Sequence, residues 1–179
     1  MGLMKPAALL ALFLLSSFPA MAGPESLKVT FQAEKDRDKD KMADQKLGEG
    51  DKIVTHYDFG FKVENLSAEE FSGVEARVYV VVSPFNFKNE NEVQVYKVLE
   101  KTGIVIDKQG TTKIDAGSVD LTITDSVKGS LTWHSGWKYQ GYLAELSLGG
   151  QVFYTDNAGG GDTKRAVAAY LKNPSPKRK

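Results

Sequence analysis

Two runs of strictly alternating apolar residues, lying between positions 53 and 82, constrain this chain more than anything else in it. In the first, Tyr57, Phe59, Phe61 and Val63 occupy every second position, with Asp58, Gly60, Lys62 and Glu64 between them. A strand repeats its side-chain direction every two residues, so this run buries one face of a sheet and wets the other. After the turn-rich stretch 65–73, Val74, Ala76, Val78, Val80 and Val82 share one face of a second strand. Tyr79 and Val81 are apolar on its opposite face, the pattern of a central strand covered on both sides. Were that second face open, Tyr79 and Val81 would form an assembly strand.

The same period recurs along the chain. Leu27, Val29, Phe31 and Ala33 predict a strand over 26–34. The alternating charges of 35–44 and the glycines up to Gly50 read as an exposed loop. Pro84 ends the strand at 74–82, and a polar cluster runs to Glu92. Val93 to Leu99 and Ile104 to Ile106 read as two short strands forming a hairpin about Thr102-Gly103. Residues 111–124 alternate again, with a bulge or bend at Asp115-Ala116-Gly117. Residues 131–137 read as a loop or irregular strand, and 138–148 and 151–155 as a hairpin closed by Gly149-Gly150. Ala166, Val167, Tyr170 and Leu171 fall at helical spacing after Asp162, a residue suited to N-capping. The fold class is therefore all-β: an antiparallel β-sandwich of immunoglobulin or fibronectin-III type with one C-terminal helix, an OB-like barrel being the alternative.

Residues 1–22 stand apart. A basic start with Lys5, an apolar run over 7–15 and Ala20-Met21-Ala22 compose a signal peptide cleaved after Ala22, its run too short for a stable membrane anchor. That leaves one domain over 23–172 and a disordered tail over 173–179, and places the protein in the periplasm, on the outer surface or in the medium. A domain of this size buries roughly 68–70% of its unfolded surface. There is no cysteine, so no disulfide assists the core and no lipid attaches at the cleavage site. The 23 basic side chains balance the 23 acidic ones. With no basic stripe among aromatics, nucleic acid is not an expected partner.

Motifs for chemistry are sparse, and the expectation is no enzyme, no cofactor and no metal. Asp36, Asp38 and Asp40 have the opening spacing of a calcium loop, but Lys41 stands at its glycine and Leu47 at its closing glutamate. His56 and His134 lack partners at ligand spacing, and no Gly-x-Ser-x-Gly elbow supports a hydrolase. Residues 157–163 precede a helix with three glycines but lack the Gly-Lys-Ser/Thr of a phosphate loop. Asn65-Leu66-Ser67 reads as a turn rather than a glycosylation site. Trp133, Trp137, Tyr139 and Tyr142 are the candidate binding residues, either a stacking platform for a glycan or core and edge packing.

The pattern Tyr57-x-Phe59-x-Phe61-x-Val63-x-Asn65-x-Ser67, followed by Phe71-Ser72-Gly73-Val74-x-Ala76-x-Val78 to Val82 and by the hairpin of 141–154, resembles small exported Ig-like sandwich proteins of Gram-negative, mucus-dwelling bacteria. Some of these are associated with type IV pilus-like gene clusters, and their sandwich is similar to the head of archaeal pilins. The resemblance implies a surface or periplasmic protein that acts by contact with a protein partner or by self-assembly. The chain lacks the long apolar helix with an early glutamate that marks a pilin shaft subunit, which implies an accessory role.

Overall fold

The computed structural model describes residues 23–44, 48–85 and 92–174. The expected leader and positions 175–179 of the expected tail lie outside the described residues. Among those described, seven strands precede one helix: β1 (Leu27–Asp44), β2 (Gly48–Asn65), β3 (Phe71–Pro84), β4 (Gln94–Ile106), β5 (Thr111–Lys128), β6 (Leu131–Leu148), β7 (Gln151–Ala158) and α1 (Gly160–Lys172). All pairings are antiparallel. β1, β2 and β5 form one sheet, and β7, β6, β3 and β4 form the other. The strand path does not close, which makes this a sandwich-like fold and not the barrel.

β6 ties the sheets together. Its residues 131–136 pair with β5, and from Trp137 onward it pairs with β3. At the change-over Gly136 has φ +118°, and a Cβ there would lie 2.0 Å from the Thr122 carbonyl oxygen, so a side chain would block the crossing. The β6–β7 turn is made by Gly149 and Gly150, both at positive φ, as a two-residue hairpin requires. Opposite Phe59 and Gly60, the β5 register skips Ala116, which is the bulge expected at 115–117.

The inward faces meet as the period-two pattern dictates. Tyr57, Phe59, Phe61 and Val63 from β2 pack with Ile114, Val119 and Leu121 from β5. Against them lie Val74, Val78, Val80 and Val82 from β3 and Leu146 from β6. Rings bridge the open side, with Phe31 4.8 Å from Phe61 and 4.6 Å from Tyr142. Asn65, buried at the end of β2, donates from Nδ2 to the Glu69 and Asp107 carbonyls at 2.7 and 3.1 Å. Its Oδ1 accepts from the Ser67 amide at 2.9 Å, so this buried amide has its partners and pins two turns together.

Several expectations are corrected. The charged run 35–44 is not a loop: it is the outer half of β1, paired residue for residue with β2 from Tyr57 back to Gly48. Alternating signs send cations to one face and anions to the other, so the strand needs no apolar face when both faces are wet. Asp36, Asp38 and Asp40 thus lie along a strand, not around an ion. Thr102-Gly103 is not a hairpin turn, because β4 runs through it as one strand along β3 with shifts in register. Residues 131–137 are regular strand up to the crossing. The helix begins at Gly160 with Gly159 as N-cap, while Asp162 sits in its first turn and pairs with Arg165. Tyr79 and Val81 do not offer an assembly strand: they are buried under α1 against Ala166 and Val167, with the Tyr170 ring 6.3 Å from Tyr79. β3 is central because the chain supplies its own third layer.

Candidate functional site

β1, β2, β5 and the start of β6 continue past the last described rung of the second sheet, Pro84 opposite Trp137. Tyr57 stacks on Tyr139 across the sandwich at 4.4 Å, two residues inside that rung, while Gly136 at the crossing stands in register with Ile123 and, through it, Ile53. From Ile53 back to Glu49 the extension measures roughly 13 Å at strand rise. The register runs Asp36, His56, Asp120 across one rung at its root and Asp40, Lys52, Thr124 across another within it.

The two margins of this extension differ in character. On β1, Lys35, Arg37, Lys39 and Lys41 project to one face and Asp36, Asp38 and Asp40 to the other. Lys39 pairs with Asp51 at 2.9 Å, and Lys35 stands 5.9 Å from the Tyr57 ring centre. A charged edge resists the addition of another strand, and self-pairing in antiparallel register would set like charges opposite one another. The other margin, residues 131–135 of β6, reads Leu-Thr-Trp-His-Ser and carries no acid or lysine. Phe85 covers its near end, its amide donating to the Gly136 carbonyl at 2.9 Å and its ring standing 5.2 Å from that of His134, and among the described strands only β5 pairs with residues 131–135. Trp133 is 50% exposed and Leu131 61%, and Val127 across the hairpin is also exposed.

The β4 edge is bridged, while β7 pairs only with β6 among the described residues and leaves Val152 exposed. Lys97 and Lys101 of β4 donate to the Ser118 and Asp115 carbonyls of β5, both at 3.1 Å. These bonds bridge the two sheets along that side.

The four aromatic candidates do not converge. Trp133 stands on the extension opposite Ser126, whereas Trp137 packs toward the core with the Tyr96 ring 5.7 Å away. Tyr139 lies on Tyr57, and burial raises its phenol well above the ordinary value. Tyr142 lies on Phe31 and donates to Asp156 at 3.0 Å; burial first, then that bond, push its pKa up to about 12. Three of the four rings serve packing, and one is displayed.

The histidines sit apart. His56 presents Nε2 to Asp58 at 3.1 Å and Nδ1 to Asp120. The Asp120 bond chiefly, with the nearby Asp58 charge, raises its pKa above the ordinary 6.5. His134 meets Asp125 at 3.1 Å and the Phe85 ring at 5.2 Å. A shallow cleft of about 500 Å³ lies beside the start of α1, lined by Ser83, Phe85, Lys138, Gln140 and Asp162 among others, and it contains neither histidine. Among the described residues no group of His, Cys, Asp and Glu is arranged to hold a metal ion, and no helix is long and apolar enough to cross a membrane.

Leu131 and Val127 are the residues that the sequence reading missed. Their signal is the period-two spacing of Leu131 with Trp133 beside the Lys128-Gly129-Ser130 turn, hidden once 131–137 is taken as a loop. No protein-family model, curated protein or solved structure matches the chain. The fold and surface define an all-β sandwich-like protein with one C-terminal helix and a projecting four-stranded extension.

Proposed function

We propose that this protein is exported, non-enzymatic and works in the periplasm or at the cell surface by protein–protein contact, the contact being made at the β6 margin of the extension. The observation that carries this reading is the asymmetry of the two margins: one armoured by alternating charge, the other without Asp, Glu, Lys or Arg and displaying Leu131 and Trp133. Strand addition at such an edge gains backbone hydrogen bonds, while exposed side chains on alternate positions confer selectivity. A pilus-like assembly is the setting that the sequence resemblance implies, with a second copy or an accessory protein as the added strand.

Light scattering on the purified mature chain, together with cross-linking in the producing cells, tests the proposal. The expected result is an oligomer or a captured partner that Trp133→Asp and Leu131→Asp each weaken at least tenfold without lowering the melting temperature. A strictly monomeric chain that captures nothing contradicts it. The glycan reading rests on Trp133 alone, since Trp137, Tyr139 and Tyr142 are packed. Quenching of Trp133 fluorescence by an oligosaccharide, lost in Trp133→Ala, would favour that reading instead.

A further inference from the structure

His56 stands at the root of the extension, on the outer face of the three-stranded sheet. The groups sharing that face are Glu34, Asp36, Asp38 and Asp40 from β1, Lys52, Val54 and Asp58 from β2, and Ser118, Asp120, Thr122 and Thr124 from β5. Asp36 and Asp120 flank His56 on its own rung, and Glu34 flanks Asp58 on the rung two residues along. The cations nearest this face are Lys52, two rungs away beside Asp40, Lys62 and Lys28 farther along toward Asn65, and Lys97 of β4, which donates to the Ser118 carbonyl at 3.1 Å. Lys35 and Arg37 belong to the opposite face.

Both imidazole nitrogens meet carboxylate oxygens, Nε2 that of Asp58 at 3.1 Å and Nδ1 that of Asp120. An ionised carboxylate only accepts, so both contacts are hydrogen bonds only when both nitrogens carry a proton. Neutral histidine keeps one N–H, loses one of the two bonds and leaves Asp36, Asp58 and Asp120 facing one another without a central cation.

From this geometry we infer that His56 is a pH-sensitive clasp, which when protonated ties β2 to β5 and compensates the acids at the root of the extension, and when neutral lets the extension loosen. The sign follows from linkage. A histidine whose folded pKa is raised contributes stability in full below its unfolded value near 6.5, and that contribution fades as pH rises through the higher folded value. The clasp therefore closes at pH below the ordinary imidazole value and opens as pH rises through the higher folded one.

The test is the NMR titration of His56 in the mature chain, joined to hydrogen–deuterium exchange of 35–41, 49–56 and 120–128 at about pH 5 and pH 8, either side of the ordinary imidazole value, corrected for intrinsic exchange chemistry. Expected are a His56 midpoint above 6.5 and several-fold faster corrected exchange of these segments at the higher pH. His56→Gln should remove that pH dependence and His134→Gln should keep it. Asp120→Asn, which retains the ring, should lower the His56 midpoint. A midpoint at or below the ordinary value, or the same pH dependence in His56→Gln, overturns the inference.

Discussion

Phe61→Ala is expected to cost about 3–5 kcal/mol of folding stability, the range for deleting a buried phenyl ring. Phe61 is 2% exposed, sits on β2 between Phe31 and Ile114 in register, and meets the Tyr154 ring edge-on at 6.2 Å. The backbone around it is fixed by strand pairing on both sides, so the walls of the cavity have little freedom to close. Domains of this kind are held by about 5–15 kcal/mol in total, and no disulfide limits the unfolded ensemble here. Urea unfolding should show a much lower midpoint with an unchanged slope. A loss below about 1 kcal/mol would mean that the ring lies at a surface, since changes there are small.

The second large effect is expected at the third layer. Val167→Asp places a carboxylate where the side chain is 1% exposed, between α1 and the outer face of β3. Its apolar neighbours are Tyr79, Val81, Ala166 and Tyr170, with Val95 and Leu143 beside them, and the cation on this face of β3, Arg77, is already engaged by Glu100 at 2.9 Å. A charge in such a seam either takes up a proton or drives the helix off the sheet, and the loss should exceed about 3 kcal/mol. With α1 displaced, Tyr79 and Val81 become an exposed apolar face, so the variant should bind a hydrophobic dye and self-associate. Leu171→Asp, on the exposed side of the same helix, is the control and should change little. Equal behaviour of the two variants would show that the helix is not docked.

These two experiments probe what was legible in the sequence and what was not. The Phe61 face was legible because burial on one side of a strand writes itself as period two. The two-sided burial of Tyr79 and Val81 was legible as a double apolar pattern, but its covering was not. The helical spacing of Ala166, Val167, Tyr170 and Leu171 implies that α1 has a partner without naming it, and of these Leu171 lies exposed in the fold. The charged half of β1 was misread because its pairing is carried by backbone hydrogen bonds, while its side chains remain in water and leave no apolar period. For the same reason the extension stayed hidden, and with it the joining of His56 to Asp120 across 64 positions of sequence. Trp133 was singled out by residue type. Its separation from Trp137 follows from the crossing at Gly136, which sends the two indoles to different sheets.

The central claim is that the β6 margin of the extension receives a partner strand. A photo-reactive amino acid at position 133, with the same residue at exposed Leu66 as control, tests it most directly in the cells that make the protein. The account predicts a discrete cross-linked species from position 133, to a second copy or to one envelope protein, which Leu131→Asp suppresses and which position 66 does not give. Equal, diffuse labelling from both positions, or none from position 133, would contradict it.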